Sequence, residues 1–289
     1  MLKINIKKYL IMKKIIIIGA GAMGSAFAVP CLENKNEVTI IGTHLEDDLI
    51  DSIKSNNNFH PALKVELPTK LKVEKYEKLK SILEREVDII VAGVSSIGIE
   101  WFVNQISKNY KKNLPIILLT KGLAIEDNEL ITLSDKIKKL LKKQGHEEVN
   151  VSAIKGPCLA AGLAYKIRTG TVIANPDIKE TEKLKKIIST DYYSTEISDD
   201  LTGVELAGAI KNIYSMLIGA SEGLSNSKAP KEIQSKYYLN TSASLIHRSI
   251  SEMVEFVSYY GGKVDTVYGL AGLGDLYVSA IGGRNSLMG

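Results

Sequence analysis

The chain has 289 residues, of which 45% are hydrophobic and 24% charged, and its formal net charge is +4 at neutral pH. This length and composition predict a globular protein with room for two domains and a substantial core. The charge is spread over many lysines and glutamates without a basic tract, so nucleic acid is not a predicted partner, whereas small anionic molecules are compatible. Because no uninterrupted run of about 18 apolar residues occurs, no membrane-spanning helix is predicted.

The cysteines and the N-terminus bear on location. Cys31 and Cys158 do not have metal-ligand spacing, so neither a metal site nor a disulfide framework is predicted, and a reducing, cytoplasmic location is expected. An apolar run after two lysines resembles an export signal, but three glycines and Pro30 break it. Residues 1–11 precede the first predicted strand, so Met12 is a candidate start and 1–11 an extension.

A strand and a glycine turn come next. Residues 13–18 include four consecutive isoleucines and predict a strand buried on both faces of a parallel sheet. The pattern G-x-G-x-x-G follows at once, which in a strand–turn–helix unit allows a tight turn, close approach of a pyrophosphate and free amides at the helix N-terminus. Packing alone is the alternative explanation for such glycines. The residues predicted to bind a dinucleotide here are Gly19, Gly21, Ala22, Met23 and Gly24.

The second predicted strand, over residues 37–44, should end beside the adenine ribose. An acidic residue about 20 residues beyond the glycine pattern would bind a free 2′-hydroxyl, but Thr43 and His44 occupy this place. A hydroxyl and an imidazole can donate hydrogen bonds to a 2′-phosphate, so the sequence favours NADP over NAD. In the alternative, Thr43 and His44 are ordinary turn residues and Glu46 curls back to select NAD.

Apolar strand patterns recur along the first two thirds of the chain. They lie at residues 86–94, 114–122, 149–158, 171–174 and 192–197, with a helix predicted over 179–189. This alternation predicts an α/β fold, with a Rossmann-type doubly wound parallel sheet over residues 12–199.

Two strand ends carry candidate substrate residues. Lys121 should stand at the same sheet edge as the glycine turn, although a surface lysine is the simpler interpretation. Gly156 and the amides near Cys158 open an alanine-rich helix that could bind an anion. Cys158 is either a small packed residue or, at a helix N-terminus, a thiol with a lowered pKa.

Strand patterns stop after residue 199, and residues 200–289 are predicted to form a second, all-helical domain. Long helices are predicted over 201–224 and 237–260. The first is rich in small residues, and glycine destabilises a helix by about 1 kcal/mol relative to alanine. Close approach by another element or a ligand is therefore expected around Lys211 and Asn212.

Six short motifs together resemble the NAD(P)-dependent glycerol-3-phosphate dehydrogenase family, its archaeal-type members in particular. The similarity runs from about Met12 to the last residue. The motifs are G-A-G-A-M-G ending at Gly24, T-K-G at Gly122, K-G-P-C at Cys158, A-I-K-N at Asn212, G-L-G-D at Asp275 and G-G-R-N at Asn285.

The resemblance implies an oxidoreductase that transfers a hydride between NAD(P)H and dihydroxyacetone phosphate to give glycerol 3-phosphate, a glycerophospholipid precursor, in a homodimer. It implies that Lys211 is the catalytic lysine, that Lys121 binds substrate and that Asp275 lies beside Lys211. The implied substrate-binding residues are Lys121, Gly156, Cys158, Lys211, Asn212, Asp275, Gly283, Arg284 and Asn285. The further implied cofactor contacts are Lys121, Ala160 and Arg284.

Three features depart from the family pattern. Cys158 replaces the usual serine, and Thr43 stands where many bacterial members carry an arginine for the 2′-phosphate. The family also continues beyond this length with further helices, so the chain is expected to be a fragment or to lack part of its lid. The alternatives are another lysine-dependent two-domain reductase, of the ketopantoate reductase or β-hydroxyacid dehydrogenase type, and a non-catalytic NAD(P)-binding protein.

Overall fold

The computed structural model describes residues 12–228, 230–232 and 234–289, so the extension predicted over residues 1–11 lies outside the described residues. The strands are β1 (Lys14–Ile18), β2 (Glu37–Ile41), β3 (Phe59–His60), β4 (Val65–Glu66), β5 (Lys72–Glu74), β6 (Ile89–Ala92), β7 (Ile116–Leu118), β8 (Leu123–Glu126), β9 (Glu129–Thr132), β10 (Val151–Lys155), β11 (Thr169–Ala174) and β12 (Tyr193–Ser198). The helices are α1 (Ala22–Glu33), α2 (Asp47–Ser55), α3 (Leu79–Leu83), α4 (Ile99–Ile106), α5 (Leu133–Lys143), α6 (Ala160–Ala164), α7 (Ile178–Ile188), α8 (Leu201–Lys228), α9 (Gln234–Tyr259), α10 (Val264–Tyr268), α11 (Asp275–Gly282) and α12 (Arg284–Met288).

Eight strands form one sheet in the order β12-β11-β10-β7-β6-β1-β2-β5. In this sheet order, the six strands β10, β7, β6, β1, β2 and β5 are mutually parallel, as predicted. Strand β11 pairs with β10 in the antiparallel sense. A parallel pair needs a long crossover, whereas the connection from β10 to β11 contains only the five-residue helix α6. The chain therefore turns back along the sheet, and β11 and β12 run opposite to the other strands.

Strand β1 is central and apolar on both faces, as its four isoleucines predict. Ile15 and Ile17 pack with Phe27 of α1 on one face of the sheet. Ile16 and Ile18 pack on the other face, in the cluster that includes Phe102 of α4. All four isoleucines are 5% exposed or less, so the first strand is held by burial on two sides and the turn after it is fixed in space.

Helices alone follow β12 in the described residues, which confirms the predicted α/β sheet with a helical C-terminal part. Within the described ranges, no helix combines the length and the apolar character that crossing a bilayer requires.

The small residues of α8 are explained by packing. A Cβ on Gly208 would lie 3.1 Å from the side-chain carbons of Lys155 on β10. A Cβ on Gly219 would collide with the carbonyl oxygen of Ser286 in α12, and Gly203 lies against Gly262. The close approach expected from the sequence is therefore made by other elements, which bring α8 onto the sheet and beneath α12.

Candidate active site

The glycine turn stands at the carboxyl end of β1, and two of its glycines are required by packing. Gly19 has φ +111°, and a Cβ there would lie 2.7 Å from the carbonyl carbon of Gly93. A Cβ on Gly24 would collide with the carbonyl oxygen of Gly19. These two positions bring the first turn of α1 onto the ends of β1 and β6.

Gly21 is different, because its open side faces free space. A Cβ there would meet only Glu46 Oε1, at 3.8 Å, and the backbone of Gly21 has φ −59°, which any residue adopts. Helix α1 begins at Ala22 without a side-chain cap, and the first amides of a helix have no intrahelical acceptor. The room at Gly21 and the amides of Ala22 and Met23 fit a dinucleotide pyrophosphate.

The end of β2 differs from the main sequence prediction. Glu46, the residue before α2, curls back, and its Oε2 accepts hydrogen bonds from the amides of Ala20 at 3.0 Å and Thr43 at 2.8 Å. The Thr43 hydroxyl accepts from the Leu45 amide at 3.4 Å, and the His44 ring lies 5.2 Å from the Trp101 ring. The preference for NADP stays a prediction, and the position of Glu46 matches its alternative.

The carbonyl of Ala20 is held as well as its amide. It accepts hydrogen bonds from the Ser25 hydroxyl at 2.9 Å and from His60 Nε2 at 3.0 Å. His60 Nδ1 accepts from the Leu63 amide, so the ring carries its proton on Nε2. The His60 ring is fully buried beneath the glycine turn.

A cluster of charged side chains forms at the same sheet edge. The Lys211 ammonium on α8 bonds to Asp275 Oδ1 at 2.9 Å, and the Lys121 ammonium after β7 bonds to Oδ2 of the same carboxylate at 2.5 Å. Lys211 also donates to the Ser279 hydroxyl. Lys211 is 4% exposed and Asp275 1%, so the sequence prediction that these three charged groups meet agrees with the geometry.

The surroundings of Lys211 lower its pKa. Burial is the largest cause, because it disfavours the charged ammonium, and repulsion from Lys121 acts in the same direction. Attraction to the Asp275 carboxylate opposes both effects. The result is an ammonium that releases its proton more readily than an ordinary lysine.

Sequence reasoning missed a second buried pair beside the cluster. Lys155, the last residue of β10, is 2% exposed and donates to the carbonyl of Leu118 at 3.2 Å. Burial lowers its pKa to about 8, while the charge of Glu205 on α8 opposes the shift. Glu205 is 1% exposed and accepts from the Ser134 amide at 3.2 Å. One signal in the sequence could have identified Lys155: it is a lysine at a strand end that is followed directly by glycine, as Lys121 is.

Ser279 was also missed. It lies on α11 four residues after Asp275, and that spacing places both side chains on one helix face. Its carbonyl accepts from the amide of Gly283 at 3.0 Å, and a Cβ on Gly283 would collide with that carbonyl. Gly283 is thus held one turn from the lysine cluster.

The structure favours the packed interpretation of Cys158 over that of a thiol with a lowered pKa. Helix α6 begins at Ala160 and is five residues long, so Cys158 lies ahead of it in a turn. Burial raises the pKa of the Cys158 thiol to about 11, although the nearby Lys121 opposes the shift. Gly156 has φ +132°, and its carbonyl accepts from Lys121 at 3.5 Å, so the turn does meet the cluster.

The remaining predicted substrate-binding residues are Arg284, Asn212 and Asn285. They are close in sequence to Lys211 or Asp275, but their side chains do not bond to either residue. Arg284 begins α12 and is exposed, and its side chain forms no ion pair or hydrogen bond with any other described residue. Asn212 and Asn285 are half-buried. A role in binding substrate stays a prediction for all three.

Two sequence models of one protein family match the chain. The NAD-dependent glycerol-3-phosphate dehydrogenase N-terminus matches residues 14–181, and the C-terminus of the same family matches residues 200–289. The chain belongs to the NAD-dependent glycerol-3-phosphate dehydrogenase family. This membership confirms the resemblance inferred from the six motifs.

Relatives within the glycerol-3-phosphate dehydrogenase family span most of this chain. The NADP(+)-dependent glycerol-3-phosphate dehydrogenase of Archaeoglobus fulgidus is 35% identical over 273 residues, which cover 94% of this chain and 78% of that protein. The glycerol-3-phosphate dehydrogenase [NAD(P)+] of Fusobacterium nucleatum is 31% identical over 269 residues, covering 93% and 74%. The crystal structure of glycerol-3-phosphate dehydrogenase from Coxiella burnetii has a TM-score of 0.79 at 27% identity and covers 95% of this chain and 78% of that one.

Proposed function

We propose that this chain reduces dihydroxyacetone phosphate to glycerol 3-phosphate with NADH or NADPH, and catalyses the reverse oxidation. The observation that carries the proposal is the buried Lys211–Asp275–Lys121 cluster at the same sheet edge as the open side of Gly21. Family membership and the names of the relatives support the substrate.

Lys211 is proposed as the proton donor. When bound, a reduced nicotinamide would supply the hydride to C2 of the substrate, and the carbonyl oxygen would need a proton as its negative charge develops. The lowered pKa of the Lys211 ammonium, caused chiefly by burial, favours release of that proton. Asp275 and Ser279 orient the ammonium, and in the oxidation Lys211 takes the proton back.

Lys121 and the segment after α11 are proposed to bind the rest of the substrate. The Lys121 side chain is 25% exposed, so its ammonium can meet a ligand while it remains bonded to Asp275. Arg284 is proposed to bind the phosphate through its planar guanidinium and to reach the cofactor, together with Gly283 and Asn285. Gly156 and Cys158 are proposed to touch the substrate from the turn after β10.

A substrate panel tests the proposal. The purified chain is mixed with NADH or NADPH and with dihydroxyacetone phosphate, ketopantoate or a β-keto acid, and oxidation of the nicotinamide is followed. We expect turnover with dihydroxyacetone phosphate alone. Turnover with another ketone would indicate a different reductase, and cofactor binding without any turnover would indicate a non-catalytic protein.

We also propose a homodimer. Helices α8, α11 and α12 carry exposed apolar side chains, among them Ile213 at 56%, Ile281 at 69% and Leu287 at 87% exposure, and exposed apolar patches commonly mark association surfaces. Light scattering over a range of concentrations should give the mass of two chains. A constant mass of one chain would contradict the proposal.

A cytoplasmic location is proposed from the cysteines. Cys31 and Cys158 are both free thiols, as a reducing compartment maintains. Fractionation of cells that express the chain should recover it with cytoplasmic markers, and recovery with an exported fraction would contradict this.

A further inference from the structure

We propose that Glu46 determines cofactor choice and that this chain binds NADH in preference to NADPH. The inference rests on the proposed function for the presence of a dinucleotide, and it adds the identity of that dinucleotide. It comes from the place of one carboxylate between the ends of β1 and β2.

The Glu46 carboxylate occupies the place of the missing acidic residue. Oε2 accepts from the amides of Ala20, in the glycine turn, and Thr43, just after β2. In this fold the adenine ribose lies between those two strand ends, and a carboxylate there binds a free 2′-hydroxyl. The carboxylate therefore belongs to Glu46, the residue before α2, and not to a residue at the end of β2.

The second oxygen of the same carboxylate is available to a ligand. Oε1 takes no hydrogen bond from any other residue in the described ranges, and it lies 3.8 Å from the position that a Cβ on Gly21 would have. It therefore faces the open side of the glycine turn. A ribose hydroxyl there could donate to Oε1, whereas a 2′-phosphate has no proton to donate at neutral pH.

The surrounding charges disfavour a 2′-phosphate. Helix α2 continues from Glu46 with Asp47 and Asp48, so three acidic side chains stand in sequence at this edge. The neighbouring lysines are engaged elsewhere: Lys54 pairs with Glu74 at 2.9 Å, and Lys75 pairs with Asp51 at 2.6 Å. A phosphate would meet like charge here, and neither of these two paired ammonium groups is free to offset it.

The carboxylate is also held in place. The carbonyl of Ala20 is bonded to His60 and Ser25, so the amide that donates to Glu46 is fixed from behind. Rotating the Glu46 side chain away would leave the Ala20 and Thr43 amides without their acceptor. A 2′-phosphate could take over those amides only after displacing the Glu46 carboxylate.

Equilibrium titration of the intact chain tests the proposal. The dissociation constants of NADH and NADPH are measured by fluorescence at one ionic strength for wild type and for Glu46→Gln, which keeps the size and one acceptor oxygen. We expect wild type to bind NADH at least about tenfold more tightly, and Glu46→Gln to narrow the ratio about fivefold or more, chiefly by gaining affinity for NADPH. Glu84→Gln, which removes an equal charge from an exposed residue at the end of α3, should leave the ratio within about twofold.

Equal or tighter binding of NADPH by wild type would overturn the inference, as would an unchanged ratio in Glu46→Gln. If Glu46→Gln fails to fold, Glu46→Asp is used instead. Its shorter side chain should lower the affinity for NADH without raising the affinity for NADPH. A higher affinity for NADPH in this variant would contradict the inference. Binding needs no turnover, so an NADH preference in a chain that does not reduce dihydroxyacetone phosphate would refute only the proposed function. Failure to bind either dinucleotide would refute both.

Discussion

Lys211 and Lys121 share one buried carboxylate, and this sharing sets the chemistry of both lysines. Asp275 neutralises only one of the two ammonium charges, so the second positive charge destabilises the first. Burial is the larger cause at Lys211, and together the two effects lower the pKa of its ammonium. A lysine whose pKa is lowered in this way releases its proton more readily than an ordinary lysine, which suits a general acid.

Replacing Lys211 tests this role directly. A general acid contributes about 10²–10⁴-fold, so Lys211→Ala should lose turnover by that factor while the dissociation constant of NADH stays nearly unchanged. Lys211→Arg should not restore turnover, because a guanidinium does not release its proton near neutral pH. Steady-state rates and fluorescence titration measure the two quantities, with the exposed Lys186→Ala as control. Retention of most turnover in Lys211→Ala would move the proton donor to Lys121.

The buried Lys155 and Glu205 should be coupled in stability. Either single variant, Lys155→Met or Glu205→Gln, leaves the other charge without its neighbour, so the double variant should be more stable than the sum of the single effects by about 0.5–3 kcal/mol. Urea unfolding of all four proteins measures this coupling. A coupling of zero would mean that the two groups are buried independently.

The pKa of Lys155 also gives that pair a pH signature. Burial lowers the pKa to about 8 in the folded chain, whereas an unfolded lysine titrates at about 10.4. Between these values the unfolded chain binds more protons, so the contribution of Lys155 to stability rises with pH across that window. Lys155→Met should lack this rise, and an identical pH dependence in both proteins would contradict the assignment.

At the scale of elements, the unit of β1, the glycine turn and α1 combines two kinds of glycine. Gly19 and Gly24 are needed because neighbouring backbone leaves no space for a side chain. Gly21 is surrounded by open space, so packing does not explain it. Among these three glycines, Gly21 alone is explained by room for a ligand and not by packing within the folded chain.

Two matched substitutions separate these reasons. Gly24→Ala places a methyl group against the Gly19 carbonyl and should destabilise the chain by about 1–3 kcal/mol through overpacking. Gly21→Ala should change stability by less than about 1 kcal/mol, but it should weaken NADH binding because the methyl group occupies the approach of the pyrophosphate. Thermal unfolding and fluorescence titration provide the two measurements. Full NADH affinity in Gly21→Ala would place the pyrophosphate elsewhere.

At the scale of the whole molecule, Asp200 connects the end of the sheet to the helices. Its carboxylate is 6% exposed and accepts from the Gly203 amide at 2.8 Å, the Lys263 amide at 2.8 Å and the Thr266 hydroxyl at 2.5 Å. The donors come from α8, from the residue just before α10 and from α10 itself. We propose a boundary here between domains at residues 12–199 and 200–289, with Asp200 as the joint.

Asp200→Ala should therefore destabilise the chain by about 2–5 kcal/mol, because three donors lose a charged acceptor at once. Asp199→Ala is the matched control: its carboxylate is exposed and pairs with the Lys263 ammonium at 2.6 Å, so little change is expected. Chemical denaturation compares the two variants. An equal loss of stability in the two variants would show that the buried Asp200 carboxylate does not connect the two domains.

The sequence by itself determined the features that depend on neighbours along the chain. The strand over the isoleucine run, the glycine turn and the start of α8 at Leu201 follow from side-chain periodicity and backbone preference, which act over a few residues. The meeting of Lys211 and Asp275, 64 residues apart, was not available from any local pattern. It was inferred through the resemblance to a family, since motifs in a fixed order carry information about distant contacts.

Other contacts between distant residues were decided only by the tertiary structure. The hydrogen bond from the Ala20 amide to Glu46 spans 26 residues. Because of it, the Glu46 carboxylate replaces Thr43 and His44 as the group proposed to determine cofactor choice. The burial of Lys155, the raised thiol pKa of Cys158 and the reversal of β11 arise in the same way. Burial and hydrogen-bond partners are properties of the packed chain, so residue type and spacing alone do not specify them.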